Sequence, residues 1–291
     1  MARANCQTTI ADCVRVGGFG YFSGTDVTVE FRPAKVDGGI TFVRRDLDPP
    51  ARIPARVENR VESPRRTSLV RGKARVEMIE HVMAALCGLR IDNCEVWVDA
   101  AEMPGGDGSS AAFVAALDSV GCVAQPAARP KLVVREVTRL GDDESWIEAR
   151  PVRDSSFTVK FRLDYTNAPA IGRQTVRFRV TPEVFRRELA PCRTFLLREE
   201  AEWLRSQGLG SRVGYQDLLI FDEEGPIENE LRFDDECARH KALDVVGDLG
   251  LAGCQLVGEF VAHRSGHRLN SELVRALLQE GQIITDERKT A

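Results

Sequence analysis

Near its C-terminal end the chain reads Arg239-His240-Lys241-Ala242-Leu243-Asp244-Val245-Val246-Gly247-Asp248. In a helix, His240, Asp244 and Asp248 fall at i, i+4 and i+8 and stack along one side. An imidazole and a carboxylate one turn apart supply half of a metal site. The chain has only four histidines, His81, His240, His263 and His267, from which to complete it. The plainer reading is a solvated polar face, because Ala238, Ala242, Val245, Val246 and Leu249 form an apolar stripe roughly opposite.

His81 shifts the balance. Glu80-His81 lies inside Val76-Glu77-Met78-Ile79-Glu80-His81-Val82-Met83-Ala84-Ala85-Leu86, a helical run with little polar surface, where a carboxylate and an imidazole need partners. A hydrogen bond to backbone would serve, but a cation recruiting His81 with Glu80 beside it satisfies both groups at once. Zinc suits two imidazoles, a carboxylate and one open water position.

The elements that must position these groups follow from pattern. The stretch Gly121-Cys122-Val123-Ala124-Gln125-Pro126-Ala127-Ala128-Arg129-Pro130 lacks periodicity and carries two prolines, so it reads as a linker dividing the chain into residues 1–125 and 131–291. The first half opens with alternating segments such as Val27–Arg32, then the Glu80-His81 helix, a strand Cys94–Val98 and a helix near Ser110–Val120. The second repeats the grammar, with strands around Lys131–Val137, Trp146–Arg150, Phe157–Leu163 and Thr175–Val180 and helices near Pro182–Leu189 and Glu199–Ser206. In both halves the histidine helix runs through a glycine stop into a strand. An α+β fold is expected: two similar domains, each a sheet layer packed on helices, with the helices facing each other around the metal.

With 291 residues, 43% of them hydrophobic, the chain can bury one large core or two ordinary ones. Its net charge of −4 offers no global attraction to nucleic acid or an anionic membrane. The sign-alternating segment Arg56–Thr67 reads as a solvated hairpin or loop. No apolar run approaches the roughly 18 residues of a membrane span and the first residues lack a signal peptide's apolar core, so a cytoplasmic location without membrane insertion is expected. Eight cysteines without a Cys-x-x-Cys pair read as reduced core thiols.

Several motifs together resemble the bacterial UDP-3-O-acyl-N-acetylglucosamine deacetylases, which catalyse the committed step of lipid A biosynthesis. They are Ile79–Leu86, Gly88-Leu89-Arg90-Ile91-Asp92-Asn93, Asp107-Gly108-Ser109, Arg193-Thr194-Phe195, Leu231-Arg232-Phe233 through Arg239-His240-Lys241 and Leu243-Asp244 to Gly247-Asp248-Leu249, and Ser265-Gly266-His267. The resemblance implies a catalytic zinc on His81, His240 and Asp244, with iron(II) fitting the same donors. It implies Glu80 as general base, His267, Lys241 and Thr194 as acid and oxyanion donors, and Asp248 as the orienting partner of His267. Tyr165 would pack on the uracil of an acylated UDP-sugar substrate, with Phe195, Glu199 and Arg264 near its sugar and diphosphate. It further implies a small inserted subdomain in each half, about residues 45–70 and, holding the acyl chain, about 195–220. Leu196, Leu197, Trp203 and Leu204 would offer acyl-facing surface. No obligate protein partner is evident.

Three segments depart from the family pattern. Gly20-Tyr21-Phe22-Ser23-Gly24 stands where the family carries Leu-His between two glycines. Gly105-Gly106 replaces the apolar pair before Asp107-Gly108-Ser109, and reads as a flexible turn with Ser109 or Ser110 capping the next helix. Gly210-Ser211-Arg212-Val213-Gly214-Tyr215 replaces a glycine pair in the acyl-binding insert. The alternatives left open are a diverged zinc amidohydrolase acting on another acylated sugar or sugar nucleotide, and a non-catalytic nucleotide-sugar-binding relative.

Overall fold

The computed structural model describes residues 5–280 and 283–284; the outermost residues of both expected halves lie outside this range. Alternating burial builds the first sheet: along Asp26–Pro33, Val27, Val29 and Phe31 point into the core, as a pleated strand with one covered face requires. The five strands run in the order Val14–Phe19, Asp26–Pro33, Cys94–Val98, Ile40–Arg44, Ala51–Pro54. A seven-stranded sheet in the second half contains the same arrangement: Thr138–Gly141, Trp146–Arg150, Gln255–His263, Phe157–Tyr165, Gly172–Arg179, with Lys131–Val133 and Ile283–Ile284 extending it.

Both sheets place one hairpin on each side of a central strand that follows both hairpins in the chain. Cys94–Val98 is antiparallel to Asp26–Pro33 and parallel to Ile40–Arg44. Gln255–His263 is antiparallel to Trp146–Arg150 and parallel to Phe157–Tyr165. The protein is thus α+β, made of two similarly wound halves.

Six α-helices lie among the described residues: α1 (Glu80–Gly88), α2 (Ala111–Val120), α3 (Pro182–Val184), α4 (Arg198–Ser206), α5 (Glu236–Leu249) and α6 (His267–Glu280). The helix expected over Pro182–Leu189 forms as α3 followed by a wider turn, Phe185–Leu189. Helix α1 has almost no exposed side, because it packs on α5 as well as its own half. A continuous apolar core runs from Phe31 and Phe42 through Leu86 and Leu243 to Phe260.

Two expectations need correction. The segment read as a linker contains a strand, Cys122–Ala128, antiparallel to Cys6–Ile10. Pro126 is tolerated because the register shifts between Cys6 and Thr8, so its missing N–H breaks no ladder bond. The charged segment Arg56–Thr67 is not simply solvated. It leads into a small sheet of Arg60–Val61, Ser68–Arg71 and Ala74–Glu77, and Arg60, Ser63 and Thr67 are buried. Just before it, Ala51–Pro54 belongs to the main five-stranded sheet. In the second half, Phe195–Leu197, α4 and Leu219–Phe221 form a strand–helix–strand unit with parallel strands.

Candidate active site

The approach of α1 to α5 depends on glycine. A Cβ on Gly247 would lie 2.2 Å from the Glu80 carbonyl oxygen, so only hydrogen lets the two backbones meet there. The contact brings His81 opposite His240 and Asp244. The two imidazoles meet edge to face with centroids 5.1 Å apart. Asp244 Oδ1 lies 3.7 Å from His81 Nε2 and 3.5 Å from His240 Nε2. One ligand atom from each residue falls within 4.8 Å of the others.

The protonation states suit a cation. Burial, then the neighbouring His240, hold the His81 imidazole down to about 3, leaving it neutral. Burial likewise lowers His240. Its Nδ1 faces the Cys192 carbonyl at 3.2 Å, and a carbonyl only accepts, so the proton sits on Nδ1 and Nε2 keeps its lone pair. Burial opposes ionisation of Asp244, but Lys241 and the histidines outweigh it and hold the carboxyl below its usual range. Lys241 Nζ donates to Asp244 Oδ2 at 2.7 Å, while the buried Oδ1 has no hydrogen-bond partner. An orphaned carboxylate oxygen facing two neutral imidazoles fits a divalent cation.

A second cluster adjoins the trio. Glu80 Oε2 accepts from the Thr67 backbone N–H at 2.9 Å. Burial pushes the Glu80 carboxyl up to about 7, with His267 pulling the other way. Asp248 is fully buried; its Oδ2 accepts from His267 Nδ1 at 2.9 Å and Asn270 Nδ2 at 2.8 Å. Burial disfavours the imidazolium of His267, but the Asp248 carboxylate prevails and raises it to about 9. A carboxyl held near neutrality beside a charged imidazolium has the protonation states that acid–base chemistry requires.

Thr194 is held by its neighbour. The Glu236 carboxylate, in the first turn of α5, accepts from Arg193 N at 3.0 Å, Arg193 Nε at 2.8 Å and Arg232 N at 2.7 Å. This buried clamp sets Thr194 Oγ1 3.3 Å from His240 Nε2 and 3.1 Å from the Gly108 carbonyl, to which it donates.

A polar cavity of about 360 Å³ collects Glu80, His81, Thr194, His240, Lys241, Asp244 and His267 with Tyr165 and Phe195, whose rings meet at 5.6 Å. Glu199 and Arg264 are exposed and line neither this cavity nor its neighbour; Glu200 and Arg268 face it instead. An adjoining apolar cavity of about 100 Å³ includes Leu196 and Leu204 in its lining, whereas Trp203 is 55% exposed. Tyr21 and Phe22 form part of the same wall. Tyr21 donates to the Asp217 and Gly106 carbonyls, and its ring occupies the space a Gly105 Cβ would need. The first two departures from the family pattern therefore complement each other. Of the two candidate caps, Ser109 Oγ accepts from Ala111 N at 3.1 Å, and Ser110 Oγ instead donates to the His81 carbonyl at 2.9 Å.

Sequence reasoning missed Thr67 and Asn270. Thr67 carried a faint signal, a small hydroxyl residue ending a charged run, but nothing local pointed it at Glu80.

Fold and site together define a class: an α+β protein whose two central helices present a candidate metal centre beside a buried carboxylate–imidazole pair. The chain belongs to the UDP-3-O-acyl N-acetylglycosamine deacetylase family, whose sequence model matches residues 7–279. A UDP-3-O-acyl-N-acetylglucosamine deacetylase from Anaeromyxobacter sp. (strain Fw109-5) is 40% identical over 275 residues, covering 94% of this chain and 89% of that protein. The protein of the same name from Brucella ovis is 40% identical over 276 residues, 94% of this chain and 96% of its own length. That from Shewanella violacea is 38% identical over 278 residues, covering 94% and 90% respectively.

Proposed function

We propose that this protein hydrolyses the N-acetyl group of UDP-3-O-acyl-N-acetylglucosamine, giving UDP-3-O-acyl-glucosamine and acetate, the committed step of lipid A biosynthesis. The observation that carries the reading is the orphaned Asp244 oxygen facing two neutral imidazoles with Glu80 and His267 beside it, in a chain of this family. His81, His240 and Asp244 hold zinc; iron(II) fits the same donors. When bound, the ion polarises the amide carbonyl and makes water more acidic.

Glu80 takes the proton of the attacking water. Thr194 and Lys241 donate to the developing oxyanion, and His267, held charged by Asp248, protonates the departing amine. Tyr165 and Phe195 offer aromatic faces to the nucleotide. Arg268 lines the cavity, and its guanidinium, paired at the surface with Glu272, is of the kind that binds a diphosphate. The net charge of −4 argues against nucleic acid as a partner. No described helix is long and apolar enough to cross a membrane.

The test is acetate release from the acylated substrate and from its 3-hydroxyl counterpart, with and without a chelator. Strong, chelator-sensitive turnover of the acylated compound supports the reading. Equal turnover of both would favour an amidohydrolase of wider substrate range, and turnover of neither would favour a binding role. Glu80→Gln and His267→Ala proteins that keep their metal should lose at least about a hundredfold in kcat.

A further inference from the structure

The two cavities share five lining residues, Arg65, Glu80, His81, Thr194 and Leu196, and Arg65 is the one arginine or lysine among them. Arg65 lies between the strands Arg60–Val61 and Ser68–Arg71 with φ at 61°, a left-handed conformation that side chains other than glycine seldom adopt. Arg66, next to it, turns away; its guanidinium lies 4.1 Å over the Phe22 ring and 3.4 Å from Glu77. Arg65 is instead held at the rim by Glu200, with Nη1 3.0 Å from Oε1. The other Glu200 oxygen accepts from Leu197 N at 3.0 Å, which ties this carboxylate to the first turn of α4. Ala201 and Leu204 of α4 then continue into the apolar cavity.

We propose that Arg65 is a specificity-determining residue that donates a hydrogen bond to the carbonyl of the ester joining the substrate's acyl chain to its sugar. The inference rests on the functional reading above. The amide to be cut and the ester sit on adjacent sugar carbons. When the amide lies against Glu80 and His81, the ester must therefore fall where the polar cavity meets the apolar one. An ester carbonyl entering an apolar passage without a donor forfeits its hydrogen bonds to water. Among the shared residues the single Thr194 hydroxyl proton serves the Gly108 carbonyl in the resting site and the oxyanion in the reaction, leaving none for the ester, whereas a guanidinium carries five N–H donors and can keep Glu200 while serving a second acceptor. The Arg65 and Glu200 side chains are 38% and 32% exposed, so their ion pair is weak enough to rearrange around a substrate.

The test compares the ester substrate with a 3-O-alkyl ether analogue of equal chain length, which lacks only the carbonyl. Steady-state KM is measured for the zinc-loaded wild type, Arg65→Met and Arg65→Lys. The wild type should show a KM about tenfold higher for the ether, the loss expected for one charge-assisted hydrogen bond. In Arg65→Met the two values should converge to within about twofold, because the ester loses its advantage. Arg65→Lys, with a point charge in place of the planar fork, should retain part of the preference. A wild type that treats ester and ether alike would overturn the inference, as would Arg65→Met retaining the full preference. Turnover of neither compound by the wild type would overturn the functional reading itself and the inference with it.

Discussion

Thr67 and Asp248, 181 residues apart, are joined by a 2.5 Å hydrogen bond from the threonine hydroxyl to the carboxylate. The same threonine gives its backbone N–H to Glu80. One residue of the first insertion thus braces both members of the proposed acid–base pair, through Glu80 directly and through Asp248 to His267.

Replacing Thr67 by valine preserves shape and removes only the hydroxyl. Asp248 Oδ1 then lacks its donor inside a buried site, and a hydrogen bond to a charged group is worth about 1.5–3 kcal/mol. We expect kcat to fall roughly tenfold or more, with recovery in Thr67→Ser. Wild-type turnover in Thr67→Val would show that the brace does not matter to the chemistry.

The pH profile should be bell-shaped. Turnover needs Glu80 ionised and His267 protonated, so it rises as pH passes the Glu80 value and falls as it passes that of His267. Glu80 titrates at about 7 by burial, and a bound cation would move its limb lower. His267 titrates near 9 because the Asp248 charge outweighs burial. Asp248→Asn deletes that charge, and the alkaline limb should shift down by at least about one unit while the acid limb moves little. An alkaline limb unmoved in Asp248→Asn would assign it to another group.

Metal content can be read without activity. Elemental analysis of the purified protein should find about one divalent ion per chain, and His81→Ala or Asp244→Ala should reduce it at least tenfold. Removing the ion should also lower the melting temperature, since a ligand bound only by the folded state stabilises it. Full occupancy in both variants would move the metal elsewhere.

Gly247→Ala tests the helix approach. The added methyl meets the Glu80 backbone, which cannot turn aside like a flexible side chain. The helices must separate, at a cost of about 1–3 kcal/mol. Because Glu80 and His81 are adjacent on the displaced backbone, metal affinity should fall with stability. Denaturant unfolding and metal titration measure the two, and an unaltered titration would mean that α1 tolerates the shift.

Much of the site was legible because its key spacing is local. His240, Asp244 and Asp248 share a helix face by periodicity, and Glu80-His81 stood out because a carboxylate and an imidazole inside an apolar helix must find partners. The repeated order of helix, glycine and strand likewise foretold two similar halves. Side chains brought in from loops and other elements were harder. Helix α4 turns Glu200 rather than Glu199 toward the cavity, and α6 brings Arg268 to it where Arg264 stays exposed at the strand end. Cys122–Ala128 paired as a strand although its prolines suggested a linker, because a register shift absorbed Pro126. Residue types and short-range spacing determined which groups could bind metal and move protons. Tertiary structure alone decided that Thr67 reaches Glu80 and Asp248 and that Arg65 lines both cavities, since that depends on the packing of segments distant in the chain.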